Sequence, residues 1–234
     1  MTKERKQNLI EFQKKMKIKF SDIELLNMAL THKSFVNDNP QKKIKHNERL
    51  EFLGDSILGY IISEYLFEKF HNYNEGMLSK MKSYIVSKKN ISQISKQLNF
   101  GKYIMLGNGE IISGGRSRIS LLEDVMEAFI AAYYLDKGIT LTKKLVIKLF
   151  KQKTENAISQ KSREEYKTIL QEIFQKKYKK VPKYNILKEE GPEHKKIFFC
   201  EIRSNKIGVI GKGKSKKDAE NNAAKKMLIK LKVK

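Results

Sequence analysis

Apolar residues recur every three to four positions through most of the first 150 residues, over Leu9–Phe20, Ile23–Phe35, Leu50–Phe70, Met77–Leu98, Leu121–Leu135 and Leu141–Phe150. That spacing lines one face of an α-helix, and no strand-type alternation of comparable length competes with it. Beyond residue 160 the pattern changes. Tyr166, Ile169, Leu170, Ile173 and Phe174 form one helical stripe, and Ala219, Ala223, Met227, Leu228 and Leu231 form another. Between them lie three short β-branched and aromatic runs, Tyr184–Leu187, Lys196–Arg203 and Lys206–Ile210, with Ser204–Asn205 as a hairpin turn. The pattern predicts an all-α domain over residues 1–155, a polar linker over 156–162, and a small α+β domain of order α-β-β-β-α over 163–234.

Composition narrows the classes open to such a chain. At 234 residues, 40% apolar and 32% charged, it is neither fibrous, disulfide-stapled nor wholly disordered. The longest apolar run, Ala128–Leu135, is far short of a bilayer span, and the basic N-terminus leads into no apolar secretory stretch. A soluble protein of the reducing cytoplasm, without a membrane partner, is expected. The lone Cys200 can close no internal disulfide and, with four scattered histidines, builds no zinc site; it reads as a core thiol of the second strand.

The net charge of +23 makes a polyanion the natural partner, with nucleic acid ahead of an anionic membrane surface. Lysine outnumbers arginine 43 to 6, so part of this excess can reflect codon usage. The distribution says more. Residues 1–162 carry 28 basic and 17 acidic groups, whereas residues 163–234 carry 21 and 9, which concentrates positive charge in the tail.

The acids that stand out are the few placed on apolar helices. In NERLEFLGDSIL (residues 47–58), Glu48, Glu51 and Asp55 fall within roughly 60° of one another on a helix otherwise apolar on nearly every side. In LLEDVMEAFIAAYYL (residues 121–135), Asp124 and Glu127 sit one turn apart among Leu, Val, Met, Phe and Ala. Like charges so placed repel and are poorly solvated, so something cationic must compensate. Two readings follow. Either the two helices share one site whose hard oxygen ligands select Mg²⁺ or Mn²⁺ for phosphodiester hydrolysis, or the acids pair with Arg49 and nearby lysines on a solvated face. Glu75, in NYNEG, can equally belong to a helix cap with Asn74.

These residues carry a resemblance. NERLEFLGDSIL, preceded by ALTHKSF (residues 29–35) and followed by LGNGE (106–110), SGG (113–115) and SLLEDVMEAFIAA (120–132), is similar to the bacterial ribonuclease III family, in that family's order and spacing and along the whole chain. The resemblance implies an all-α catalytic endonuclease domain followed by a small α+β double-stranded RNA-binding domain. It implies Mg²⁺ binding by Glu51, Asp124 and Glu127, hydrolysis served by Asp55 and Glu127, and support from Glu48 and Glu75. It further implies a homodimer that cuts both strands of duplex RNA, leaving 5′-phosphate and 3′-hydroxyl ends with short 3′ overhangs, with ribosomal RNA precursors and structured messages as substrates.

The basic tail contains GVIGKGKS (residues 208–215), a literal match to the phosphate-binding loop of nucleotide hydrolases. Such folds need further βαβ units, and only 19 residues follow Ser215, so no nucleotide cofactor is expected. Ser215 and Asp218 instead read as a capping box opening the last helix, with Lys216 and Lys217 in its first turn, where the helix macrodipole disfavours cations. Lysines at a helix start point to external phosphates, and SKKDAENNAAKKML resembles the last helix of double-stranded RNA-binding domains. By that resemblance Thr168, Gln171 and Glu172 contact 2′-hydroxyls in one minor groove. The GPEH loop, with Pro192 and His194, enters the next, and Lys214, Lys216 and Lys217 grip the phosphates between.

The remaining residues take plainer readings. His32 is placed inside a helix with a packing or hydrogen-bonding role, Gly107–Gly115 shape turns, and Arg116 and Arg118 are candidate phosphate contacts. The rival to an enzyme is a non-catalytic, ribosome-associated duplex-binding protein of the same fold; the presence of all six acids argues against it.

Overall fold

The computed structural model describes residues 1–71, 73–204 and 207–231. They divide into two compact units, Met1–Glu155 and Asn156–Lys234.

The first unit is helical, in the order α1 (Lys3–Met16), α2 (Ile23–Ala29), α3 (Lys33–Asn37), α4 (Glu48–Lys69), α5 (Glu75–Ile85), α6 (Lys88–Gln97), α7 (Asn108–Ile112) and the start of α8 (Ile119–Tyr178). Its core is aromatic at the centre. Phe12 meets Phe100, Tyr103 and Phe129 edge to face at centroid distances of 5.0, 5.1 and 5.6 Å, the arrangement that ring quadrupoles favour. Leu9, Leu26, Ile61, Ile62, Leu66, Val146 and Phe150 complete it, all at most 1% exposed. Truncating a fully enclosed ring such as Phe129 to alanine costs about 3–5 kcal/mol in a core of this kind.

Two stretches patterned as single helices are each divided. Leu30–His32 leave the helix between α2 and α3 because Thr31 forms a parallel bridge with Met105, with His32 N donating to the Met105 carbonyl and Met105 N to that of Leu30. His32 is therefore not inside a helix. It caps α3, its Nδ1 accepting from the Ser34 backbone N–H at 3.2 Å. The second division falls at Val86–Ser87, where Asn90 Nδ2 turns back to the Tyr84 carbonyl at 2.6 Å. Hydrophobic period alone does not register such interruptions, because the apolar phase resumes on the same side of the chain.

Helix α8 is interrupted at Gly138, whose φ of 75° is left-handed, and its helical backbone continues through residues 156–162. Those residues, expected as a polar linker, contain no glycine or proline, and polarity by itself does not stop a helix.

In the second unit, the end of α8 and α9 (Lys216–Lys230) belong with an antiparallel sheet of order β1-β2-β3, formed by β1 (Tyr184–Glu190), β2 (Ile197–Ser204) and β3 (Ile207–Gly213). Both helical stripes read from the sequence bury as expected: Leu170 and Phe174 of α8, and Ala219, Ala223, Met227 and Leu228 of α9, surround Cys200, Ile202 and Val209. Cys200 is fully buried. The hairpin expected at Ser204–Asn205 falls partly outside the described residues, since Asn205 is not among them.

Most of the apparent nucleotide-binding loop is strand. Residues 208–213 lie within β3. The glycines serve packing: a Cβ on Gly211 would stand 2.2 Å from the Ala219 carbonyl oxygen and Ala223 nitrogen, so only glycine lets α9 settle on the sheet. The outer edge of β3 is closed by the same helix. Asn222, Lys226 and Lys230, one turn apart on α9, donate to the carbonyls of Lys212, Ile210 and Gly208 at 2.8, 2.9 and 3.2 Å. An edge strand is thereby covered by side chains that would have to be displaced for another strand to pair there.

Candidate active site

Helices α4 and α8 cross at Gly54. A Cβ there would stand 1.9 Å from the Glu127 carbonyl oxygen, so the two backbones touch where no other residue would fit. That crossing brings Glu51 and the exposed Asp55, three residues before and one after Gly54 on α4, into the neighbourhood of Asp124 and Glu127 of α8, and the electrostatics record the approach. Glu127 is 8% exposed, and its carboxyl is pushed up to about 8, first by burial and then by the charges of Asp55, Glu123, Glu51 and Asp124. Glu51 is raised by burial, then by Asp124, Glu48 and Glu123. Asp124 is raised by burial and then by Glu123, against the opposing field of Lys88.

The two readings of these acids now separate. Glu48 is paired: Lys33 Nζ lies 2.8 Å from its Oε1, and that bond holds its carboxyl below the usual carboxylate range. Among the described residues Glu51, Asp55, Asp124 and Glu127 form no ion pair, and Arg49 pairs with none of them. Four carboxylates therefore share one neighbourhood in which no cation among the described residues pairs with them directly, and Lys33 and Lys88 oppose their charge only through the field. They do not form a finished cage, since among the described residues no three acidic, histidine or cysteine side chains converge closely enough to hold an ion as they stand. Glu75 engages its own helix, accepting from the Ser79 hydroxyl at 2.7 Å, while Asn74 caps α5 through Met77 N.

Three participants went unread in the sequence. Gly54 had a signal, a glycine in the middle of a helix, where it costs about 1 kcal/mol relative to alanine and marks close approach. Glu123 had one too, standing four residues before Glu127 and so on the same helical face. The Lys33–Glu48 pair had none, because it joins separate elements. The two arginines read as phosphate contacts are committed elsewhere: Arg116 Nη1 donates to the carbonyls of Gly101 and Ile104 at 2.7 and 3.0 Å, and Arg118 pairs with Glu110 at 2.7 Å. Guanidinium groups gather several acceptors at once, which makes them efficient loop ties. The large apolar content of α4 also misled, since Phe52, Tyr60 and Phe67 are 80, 54 and 71% exposed and only the opposite face is core.

In the second unit Thr168, Gln171 and Glu172 lie on the exposed face of the end of α8, and Pro192, Lys214, Lys216 and Lys217 are exposed. Ser215 caps α9, accepting from Asp218 N at 3.1 Å. Lys216, unfavourably placed against the macrodipole, lies 3.4 Å from Glu189 of β1, which also pairs with Lys196 at 2.9 Å. The His194 side chain lies outside the described residues.

The chain thus joins an acid-lined helical unit to a basic α-β-β-β-α unit. Residues 22–154 match the Ribonuclease-III-like family and residues 166–231 the double-stranded RNA binding motif. The chain is 42% identical over 236 residues to Ribonuclease 3 of Pseudothermotoga lettingae, with 99% of each covered, and 45% identical over 228 residues to that of Clostridium tetani, covering 97% of this chain and 96% of that one. It is similar to a solved nuclease domain of ribonuclease III from Campylobacter jejuni, at 39% identity and a TM-score of 0.56, over 61% of this chain and 95% of that one. The chain belongs to the ribonuclease III family, endoribonucleases that act on double-stranded RNA.

Proposed function

We propose that this chain hydrolyses both strands of duplex RNA with Mg²⁺, or Mn²⁺ in its place, leaving 5′-phosphate and 3′-hydroxyl ends with short 3′ overhangs. The observation that carries this reading is Glu127, an enclosed carboxyl surrounded by further acids with no ion pair among the described residues. Oxygen donors with unpaired negative charge suit a hard divalent cation, and Glu51, Asp124 and Glu127 would hold it. Once bound, such an ion supplies the charge that makes water acidic and stabilises a departing oxygen. Asp55 and Glu127 orient the attacking water and accept its proton as its oxygen bonds to phosphorus. The bond from phosphorus to the 3′ oxygen breaks, and that oxygen leaves as a hydroxyl by taking a proton from solvent water. Glu48, fixed by Lys33, and Glu75 support the arrangement from its margins.

Thr168, Gln171 and Glu172 meet 2′-hydroxyls in one minor groove, the loop of Pro192 and His194 meets the next, and Lys214, Lys216 and Lys217 take the phosphates between, so the tail reads A-form shape. The exposed stripe of Phe52, Tyr60 and Phe67 on α4 supports a homodimer, for large apolar side chains in line on one helix face favour a covering partner. The solved Campylobacter jejuni nuclease domain is described as flexible in a region involved in dimer formation. Ribosomal RNA precursors and structured messages in the cytoplasm are the substrates this reading implies. No helix among the described residues is long and apolar enough to cross a membrane.

The test is cleavage of end-labelled duplex and single-stranded RNA with Mg²⁺ or with EDTA. Duplex-only, EDTA-sensitive cutting is expected; activity that survives chelation, or that consumes single strands equally, defeats the reading.

A further inference from the structure

Glu123 directly precedes Asp124 on α8, yet it is turned to a different partner. Its side chain is 15% exposed, and its Oε2 lies 2.6 Å from Nζ of Lys88, the first residue of α6. That oxygen is buried and receives no aligned hydrogen bond, so attraction to the ammonium is its compensation among the described residues. The lysine end is different: it is 56% exposed to water. Lys88 also feels the charges of Asp124 and Glu127, while Glu123 in turn bears on Glu51, Asp124 and Glu127. The pair is thus a largely buried anion next to the acidic neighbourhood and an exposed cation held against it.

We propose that Lys88 is a resident counter-cation of this acidic site, anchored there by Glu123, and that the pair tunes how strongly the site draws a divalent cation. This rests on the reading of Glu51, Asp124 and Glu127 as cation ligands. Without an ion, the ammonium offsets part of the repulsion among the carboxylates. With one, the exposed lysine can swing outward and leave the buried Glu123 charge behind, adding attraction from outside the ligand set. Neither side chain touches substrate; both act through the field they impose on the ligands.

The two halves must then act in opposite directions. A unit charge near a divalent ion in a largely aqueous setting shifts affinity by about three- to tenfold. Mn²⁺ titrations of the full chain without RNA, followed by loss of the free-ion electron-spin signal, are expected to show tighter binding for Lys88→Ala by about that factor and weaker binding for Glu123→Gln. The double variant is expected near the parent, and Lys88→Arg close to it. Melting temperatures of the same proteins keep a general loss of structure from being mistaken for a charge effect, since destabilisation cannot tighten binding in one variant and loosen it in the other. Unchanged affinities, or shifts of the same sign, overturn the role of the pair while leaving the ligand assignment standing. If the parent and every variant bind no Mn²⁺, the ligand assignment fails and this inference with it.

Discussion

Gly54 and Glu127 meet backbone to backbone, so closely that a single added methyl group on Gly54 would stand 1.9 Å from the Glu127 carbonyl oxygen. That contact fixes the distance between the two helices that carry the acids. Gly54→Ala removes a helix-weakening glycine, which by itself would stabilise, but it drives a Cβ into backbone that has no flexible end to yield. A net loss of about 1–3 kcal/mol in urea denaturation is expected, with cleavage falling further than stability explains because the carboxylates are spread. An alanine variant as stable and active as the parent would show that the helices are not held by this contact.

The protonation of Glu127 ties stability to pH. Its carboxyl titrates near 8 in the folded chain against an ordinary value of 4.5, so folding takes up a proton between those limits. The sign follows: the contribution is complete below about 4.5, declines as pH rises toward 8, and is absent above it. Glu51 and Asp124, also raised, act in the same direction, whereas Glu48, lowered by Lys33, acts against them. In EDTA the parent's melting temperature is expected to fall from pH 5 to pH 8 more steeply than that of Glu127→Gln, and Mg²⁺ is expected to flatten the parent's curve. Parallel curves for the two proteins would contradict the assignment. Glu127→Gln is also expected to bind duplex RNA normally while failing to turn over.

Lys216 and Lys217 open α9 where the dipole disfavours them, and the Lys216–Glu189 pair, at 3.4 Å and well exposed, offsets little of that. Replacing both lysines by alanine is expected to weaken binding about equally across duplex sequences. The slope of log affinity against log salt should decrease by about two phosphate contacts, with cleavage retained at low salt. An unaltered slope would place the phosphates elsewhere.

The ladder from Asn222, Lys226 and Lys230 to the β3 carbonyls guards an open sheet edge. Converting all three to alanine is expected to raise the mass measured by light scattering in a concentration-dependent way, as freed edges pair. Equal masses for parent and variant over a tenfold concentration range would mean that the edge is closed by something else.

Phe52 and Phe67 test the exposed stripe of α4. Changing both to aspartate is expected to leave the helical content intact, since neither is in the core, and to halve the mass in solution. A parent already monomeric at micromolar concentration would remove the argument for a homodimer.

Much of this protein was legible as a string. The two helical stripes of the tail, the strands between them, the Ser215 cap and the acids on apolar helices all follow from local rules, because period, capping and the cost of stranding a charge act over a few residues. The divisions at Thr31 and Ser87 were not legible, nor was the continuation of helix through 156–162, because a bridge to Met105 or the lack of a breaker is no matter of hydrophobic phase. GVIGKGKS shows the converse: a pattern that reads as phosphate chemistry is mostly strand, its glycines spent on the approach of α9.

By itself, the amino-acid order determined which segments coil, where basic charge gathers, and that Glu51, Asp55, Asp124 and Glu127 sit awkwardly on greasy faces. Only the tertiary structure decided that these four are left without ion pairs among the described residues while Glu48 has Lys33 and Glu123 has Lys88. It also decided that Arg116 bonds to loop carbonyls and Arg118 pairs with Glu110, and that one side of α4 is bare. The reason is range. Helix formation is settled among neighbours three or four residues apart, whereas the balance of a buried charge depends on which distant side chain the fold brings within a few ångströms.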